Sequence, residues 1–173
     1  MMLEEFRDRK ANGYGIGEYR RVLYEEEIWN AVLLFVEKRM PYKVLEEKRS
    51  QDFKHIWKKR FVKKGGQKEK SIGQQRTYAQ AKDVKKGYHY LWDGLKESQC
   101  IQKDEALQTF ESQKKANCFI HFPVIDLTVL VRRADLLTLE AIEEMTDVVI
   151  ADENLEWTFV KTHEKGIGPY FVS

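Results

Sequence analysis

Cysteine is almost missing from this chain. Cys100 and Cys118 are the only two, 18 positions apart and without C-x-x-C spacing. A disulfide-stapled scaffold and a zinc cluster are therefore not expected, and free thiols in a reducing cytosol are. Long apolar runs are missing as well. The longest, Ala31–Val36, is six residues, against the roughly 20 a membrane helix needs, so no membrane partner is expected. Met1–Lys10 alternates acid and base, so no secretory leader is expected there.

The motifs of several activities are missing too. Ser50, Ser71, Ser98 and Ser112 lack a G-x-S-x-G elbow. Gly13, Gly15 and Gly17 alternate without the strand and spacing of a dinucleotide loop and read as a connector. His55, His89, His121 and His163 show no H-x-x-x-H spacing. No helix-turn-helix glycine turn, RNA-recognition motif or zinc finger is present. No cofactor and no metal are expected.

What is present is a folding composition. The 173 residues are 42% hydrophobic and 12% aromatic, enough for one good core and too aromatic for disorder. The net charge of +2 conceals a segregation. Residues 54–86 hold twelve Lys or Arg and two acids, a surplus of ten, so the remainder carries a deficit of eight. Residues 134–160 hold eight acids and no Lys or Arg. Such an asymmetry either steers a partner or closes on itself within the fold.

Apolar spacing predicts helices over about 18–40, 44–62, 74–95 and 103–115, with a glycine-punctuated basic loop at 63–73. Pro41 ends the first, and Lys114 and Lys115 suit the end of the fourth. The last third turns to strands at 118–122 and 128–132. A short helix from Leu139 to Met145, capped by Thr138, follows. Strands at 147–151 and 155–162 close the pattern; a two-residue turn at Glu153–Asn154 would set Ile150 opposite Trp157. That register puts Val148, Ile150, Leu155, Trp157 and Phe159 on one face. Tyr170 and Phe171 are expected to be buried. The fold class is α+β: N-terminal helices followed by a small, mostly antiparallel sheet with a C-terminal hairpin. Residues 1–42 read as a helical extension to a domain over 43–173.

Trp157-Thr158, Thr162-His163-Glu164 and Gly168-Pro169-Tyr170-Phe171 resemble the closing signature of a family of small bacterial proteins, mainly from bacilli, known only as a domain of unknown function. Phe53, Trp57 and Phe61, then Tyr90-Leu91-Trp92, then Cys100, Ala106, Phe110, Lys115 and Cys118 extend the likeness upstream. It spans residues 53–171. A histidine is expected after Trp92, and Asp93 stands there. If that histidine belongs to a site in relatives, the site is altered or absent here. The resemblance implies a shared fold and no activity.

Two clusters are candidates for function. Thr162, His163 and Glu164 offer an imidazole beside a carboxylate, suited to proton transfer in an enzyme with His89 or Asp93. Strand alternation would instead place His163 with Trp157 and Phe159 on the core side. The pair would then hydrogen-bond backbone groups and anchor the tail. Cys118 reads as a small buried hydrophobe. The second cluster, Lys58, Lys59, Arg60, Lys63, Lys64, Lys68 and Lys70, interleaves with Trp57 and Phe61. That composition suits phosphate contact and base stacking, unless the aromatics form a helix core stripe. The reading that follows is a cytoplasmic, non-catalytic interaction protein that recognises a charged protein partner. An enzyme centred on His163 and Glu164 and a nucleic-acid binder are the alternatives.

Overall fold

Phe53, Trp57 and Phe61 recur every four residues and so form one stripe on a helix, α1 (Glu47–Phe61), where all three are buried. Glu47 in its first turn and Lys58, Lys59 and Arg60 in its last match the helix dipole at both ends. The computed structural model describes residues 26, 29, 30, 32–62, 94–96, 99–123, 126–143, 145, 147–163, 166 and 168–173. The expected helix at 74–95 and the basic loop at 63–73 lie almost wholly outside them. Of the first expected helix, residues 32–37 are seen to be helical.

The stripe of α1 lies on a seven-stranded sheet with every neighbouring pair antiparallel. The strands are β1 (Tyr42–Val44), β2 (Cys100–Gln102), β3 (Asn117–Phe122), β4 (Leu127–Arg132), β5 (Val148–Asp152), β6 (Thr158–Lys161) and β7 (Tyr170–Val172), in spatial order β1-β4-β3-β5-β6-β7-β2. The α+β class holds. The two edge strands, β1 and β2, are three residues each, too short for an alternation to show in sequence. Pairing of Tyr42–Val44 with β4 delays the start of α1 to Glu47.

Period-two alternation divides the sheet into two faces. Phe53, Trp57 and Phe61 of α1 pack with Val149, Ala151, Val160, Tyr170 and Val172 on one. The other carries Cys118, Ile120, Val129, Val131, Val148, Ile150, Phe159 and Phe171. It is covered by α2 (Lys103–Ser112), a 3-10 turn at Ala134–Leu136, α3 (Leu139–Ile142) and the helical residues 32–37. Val32, Phe35 and Met40 are buried in this core. On α2, Phe110 stacks on Phe159 at 4.4 Å and meets Trp157 edge-on at 6.1 Å, while Trp157 stacks on Phe171 at 5.7 Å. Helix α2 stops at Ser112, before Lys114 and Lys115. Lys115 folds back, its Nζ donating to the Glu111 carbonyl and standing 4.5 Å over the Phe110 ring. Thr138 caps α3 as expected, accepting from the Ala141 N–H.

Two buried polar contacts fix α1 against its face. The Trp57 indole N–H donates to Thr158 Oγ1 at 2.9 Å, and that hydroxyl donates to the Ile150 carbonyl. Ser50 Oγ meets Thr128 Oγ1 at 2.6 Å, and Thr128 Oγ1 is 2.9 Å from His121 Nδ1. An apolar stripe sets which side faces inward; these bonds set where along the sheet the helix rests.

The β5–β6 register departs from expectation. Ile150 pairs with Phe159 and Val148 with Lys161, not Ile150 with Trp157. The connection is longer because the Asp152 carboxylate gathers the N–H groups of Asn154, Glu156 and Trp157 into a turn. Leu155, at φ 56°, is turned to the α1 face, away from Val148, Ile150, Trp157 and Phe159.

The expected burial of the tail is observed: Tyr170 is 1% exposed and Phe171 3%. As β7 they pair with β6 on one side and β2 on the other. Removing residues 166–173 takes away two buried aromatic side chains, each worth roughly 1.5–3 kcal/mol, and the only strand that pairs with β2 among the described residues. Thermal unfolding of the truncated chain should show a loss larger than a surface-loop deletion causes, about 10 °C or more; an unchanged midpoint would refute the role given to β7.

Candidate functional site

Strand β6 ends at Lys161, one residue before Thr162-His163-Glu164. Strand alternation therefore does not govern His163. Its ring is not on the core side as expected but on the protein's rim, with the side chain 35% exposed. Thr162 is half-buried, and Glu164 lies outside the described residues. The partner of His163 is the Asp147 carboxylate, buried to 2% exposure just ahead of β5. It accepts from the His163 backbone N–H at 2.8 Å and lies 2.8 and 2.9 Å from Nδ1. A side-chain carboxylate thus holds both the main chain and the ring of His163.

The arrangement ties the end of β6 to the start of β5. An ionised carboxylate can only accept, so the ring presents Nδ1 as a donor and its tautomer is set. Close by, Lys161 Nζ donates to the Ile142 and Glu143 carbonyls at the end of α3. On the far side of the loop, Gly168 sits at φ 73°, and a Cβ there would meet the Tyr170 ring at 3.1 Å. That position accepts only glycine without strain. An Asp–His pair orients an imidazole for proton transfer in many enzymes; it also serves as a clasp.

Lys58, Lys59 and Arg60 are all exposed on the last turn of α1. Arg60 is engaged through Nε with the Leu155 carbonyl at 3.2 Å, and Lys96 Nζ donates to the Arg60 carbonyl. Lys63, Lys64, Lys68 and Lys70 lie outside the described residues. Trp57 and Phe61, which interleave with these cations in sequence, are 1% exposed each and turned into the core. They are unavailable for stacking on bases. His89 and Asp93 also fall outside the described residues.

Of the other described histidines one is exposed and one is buried. His55 is exposed on α1. His121 is buried beneath α1, facing Phe53 at 6.0 Å and Thr128 Oγ1. Burial pushes its pKa down to about 4, with Asp126 opposing and Lys54 adding to the shift. Cys118 is buried in the core and its thiol is pushed up to about 12, chiefly by burial. Cys100 is partly buried on the opposite face. Among the described residues no group of three His, Cys, Asp or Glu side chains is arranged to hold a metal ion.

Sequence reasoning passed over Asp147 and Asp152, which organise both ends of the β5–β6 hairpin. The Asp152-Glu153-Asn154 order carries a turn signal. Asp147 carries none, because its partner is sixteen residues away. With the geometry in hand, comparison with known proteins places the chain. A family described as a domain of unknown function (DUF4275) matches residues 33–171. The chain belongs to this family. No curated protein matches it, and no solved structure does. The match begins within the helical residues 32–37 and ends inside β7, so it reaches every strand of the sheet.

His121 makes the fold of this DUF4275 chain sensitive to acid. The unfolded chain takes up this proton near pH 6.5 and the folded one near pH 4. Between those values the unfolded state binds more protons, so stability is full above about 6.5 and falls as pH drops toward 4. The loss amounts to about 3 kcal/mol. Denaturant unfolding at pH 7.5 and 4.5 should show the loss in the native protein, and His121→Gln should flatten it. Equal slopes in both would refute the assignment.

Proposed function

We propose that this protein is a non-catalytic interaction protein whose basic α1 end recognises an acidic protein surface. The supporting observation is that Lys58 and Lys59 point into solvent while Trp57 and Phe61 are packed away. Exposed cations without exposed rings suit charge-to-charge docking better than a single-stranded nucleic acid, which needs both. Among the described residues the acidic 134–160 segment does not absorb them: the cation of the 54–86 segment that reaches it, Arg60, bonds the Leu155 carbonyl and not a carboxylate. Two of the acids, Asp147 and Asp152, are occupied by the architecture. Two unbridged thiols on opposite faces suit the reducing cytosol, and the Thr-His-Glu and Gly-Pro-Tyr-Phe tail supports a bacterial source.

Lys58→Glu combined with Lys59→Glu tests this. Partners captured from a source-cell lysate by the native chain at low salt should be released by high salt and absent with the double variant. Identical capture by both proteins would overturn the reading, and recovery of nucleic acid would replace it.

The Asp147–His163 pair favours a second reading, an enzyme that uses His163 for proton transfer. Turnover of ester and phosphoester substrates by the native protein, lost in His163→Gln, would establish it. No turnover in either leaves the pair a clasp.

A further inference from the structure

Beyond the basic end of α1, we infer that the outer edge of β1 is a strand-addition site for an extended protein segment in which acidic and apolar residues alternate. The pairing geometry identifies the groups it offers. Arg132 N–H donates to the Pro41 carbonyl and Leu45 N–H to the Thr128 carbonyl. Hydrogen-bonded positions in an antiparallel ladder recur at every second residue. Pro41, Lys43 and Leu45 therefore face β4, and the N–H and C=O groups of Tyr42 and Val44 face outward. Among the described residues no strand pairs with that edge.

The side chains around the edge are apolar on one face. Tyr42 and Val44 are 39% and 38% exposed, and the Tyr42 ring rests 6.3 Å from Phe35. Leu33 and Val36, on the same helical segment as Phe35, are exposed as well. Among the described residues, four of the five exposed large hydrophobic ones thus fall between residues 33 and 44, where scattered single residues would need no explanation.

Charge decides the occupant. Lys43 is exposed between Tyr42 and Val44, and Arg39, Arg132 and Arg133 are exposed at the Pro41 end. Glu46 and Glu47 lie beyond the opposite end. A second copy of this chain would use all four outward groups only in the register that sets Lys43 opposite Lys43. That is a close, non-hydrogen-bonded pair of like charges and is destabilising. A short edge guarded by lysine is a common defence against self-pairing. A partner with an acidic side chain opposite Lys43, and more acid toward Arg132, gains from the same charges. Apolar residues on either side of that acid fall beside Tyr42 and Val44, in the manner of strand addition by peptide-binding domains.

A blocked seven-residue peptide alternating Val and Glu, and its Val–Lys counterpart, serve as probes against the full chain. The Val–Glu peptide should bind more tightly and shift the backbone amide resonances of residues 42–45 most. Val44→Pro removes one outward donor and none of the bonds to β4; it should weaken binding about tenfold. Lys43→Glu leaves the ladder intact and should invert the preference between peptides, which keeps the test open if the proline variant does not fold. Lys58→Glu with Lys59→Glu should leave binding unchanged, separating this edge from the α1 surface. Equal affinity for both peptides, or shifts centred on the end of α1, would overturn the proposal. So would a dimer of the native chain that Val44→Pro dissolves, since the occupant would then be a second copy.

Discussion

The position of β7 between β6 and β2 governs the rest of the structure. This strand is interior: Phe159 pairs with Phe171 and Val160 with Tyr170 on one side, while Ile101 pairs with Phe171 on the other. Phe171 also underlies Trp157, and Trp157 meets Phe110 of α2. Through that stack the carboxyl end joins the sheet to the helix that covers it. Beyond β6, Asp147 holds the chain at His163, and ahead of β7 the ring of Tyr170 crowds Gly168.

A second constraint acts on the opposite face. An aromatic stripe can slide along an apolar sheet at little cost, because the hydrophobic effect is non-directional. Buried hydroxyl and indole groups cannot slide, since each must keep its partner. Trp57 on Thr158, and Ser50 on Thr128 with His121, place α1 at one register. The exposed cations at its end then project from a fixed point, next to the β5–β6 turn that Arg60 touches. Fold and candidate surface therefore share one set of bonds.

The charge segregation in the chain resolves into different tasks. Lys54 is paired with Asp126 at 2.5 Å, Arg60 braces a turn, and Lys161 closes the end of α3. Asp152 and Asp147 supply acceptors for backbone N–H groups. Lys58 and Lys59 on α1 and Lys43, Arg39 and Arg132 around β1 are among the charges that remain in solvent. Charges so exposed add little to stability.

The α+β class, the strands at 117–122 and 127–132, the cap at Thr138 and the burial of Tyr170 and Phe171 were legible because each is a local pattern. An aromatic every fourth residue, a β-branched run or a threonine ahead of a helix acts through neighbours in the chain. What tertiary structure alone decided depends on contacts between distant residues. The edge strands β1 and β2 exist only because β4 and β7 pair with them. The β5–β6 register follows from where the Asp152 carboxylate gathers N–H groups, and His163 faces outward because Asp147, sixteen residues earlier, is buried within reach. Spacing along a chain carries no record of such meetings; they follow from which surfaces have been brought together.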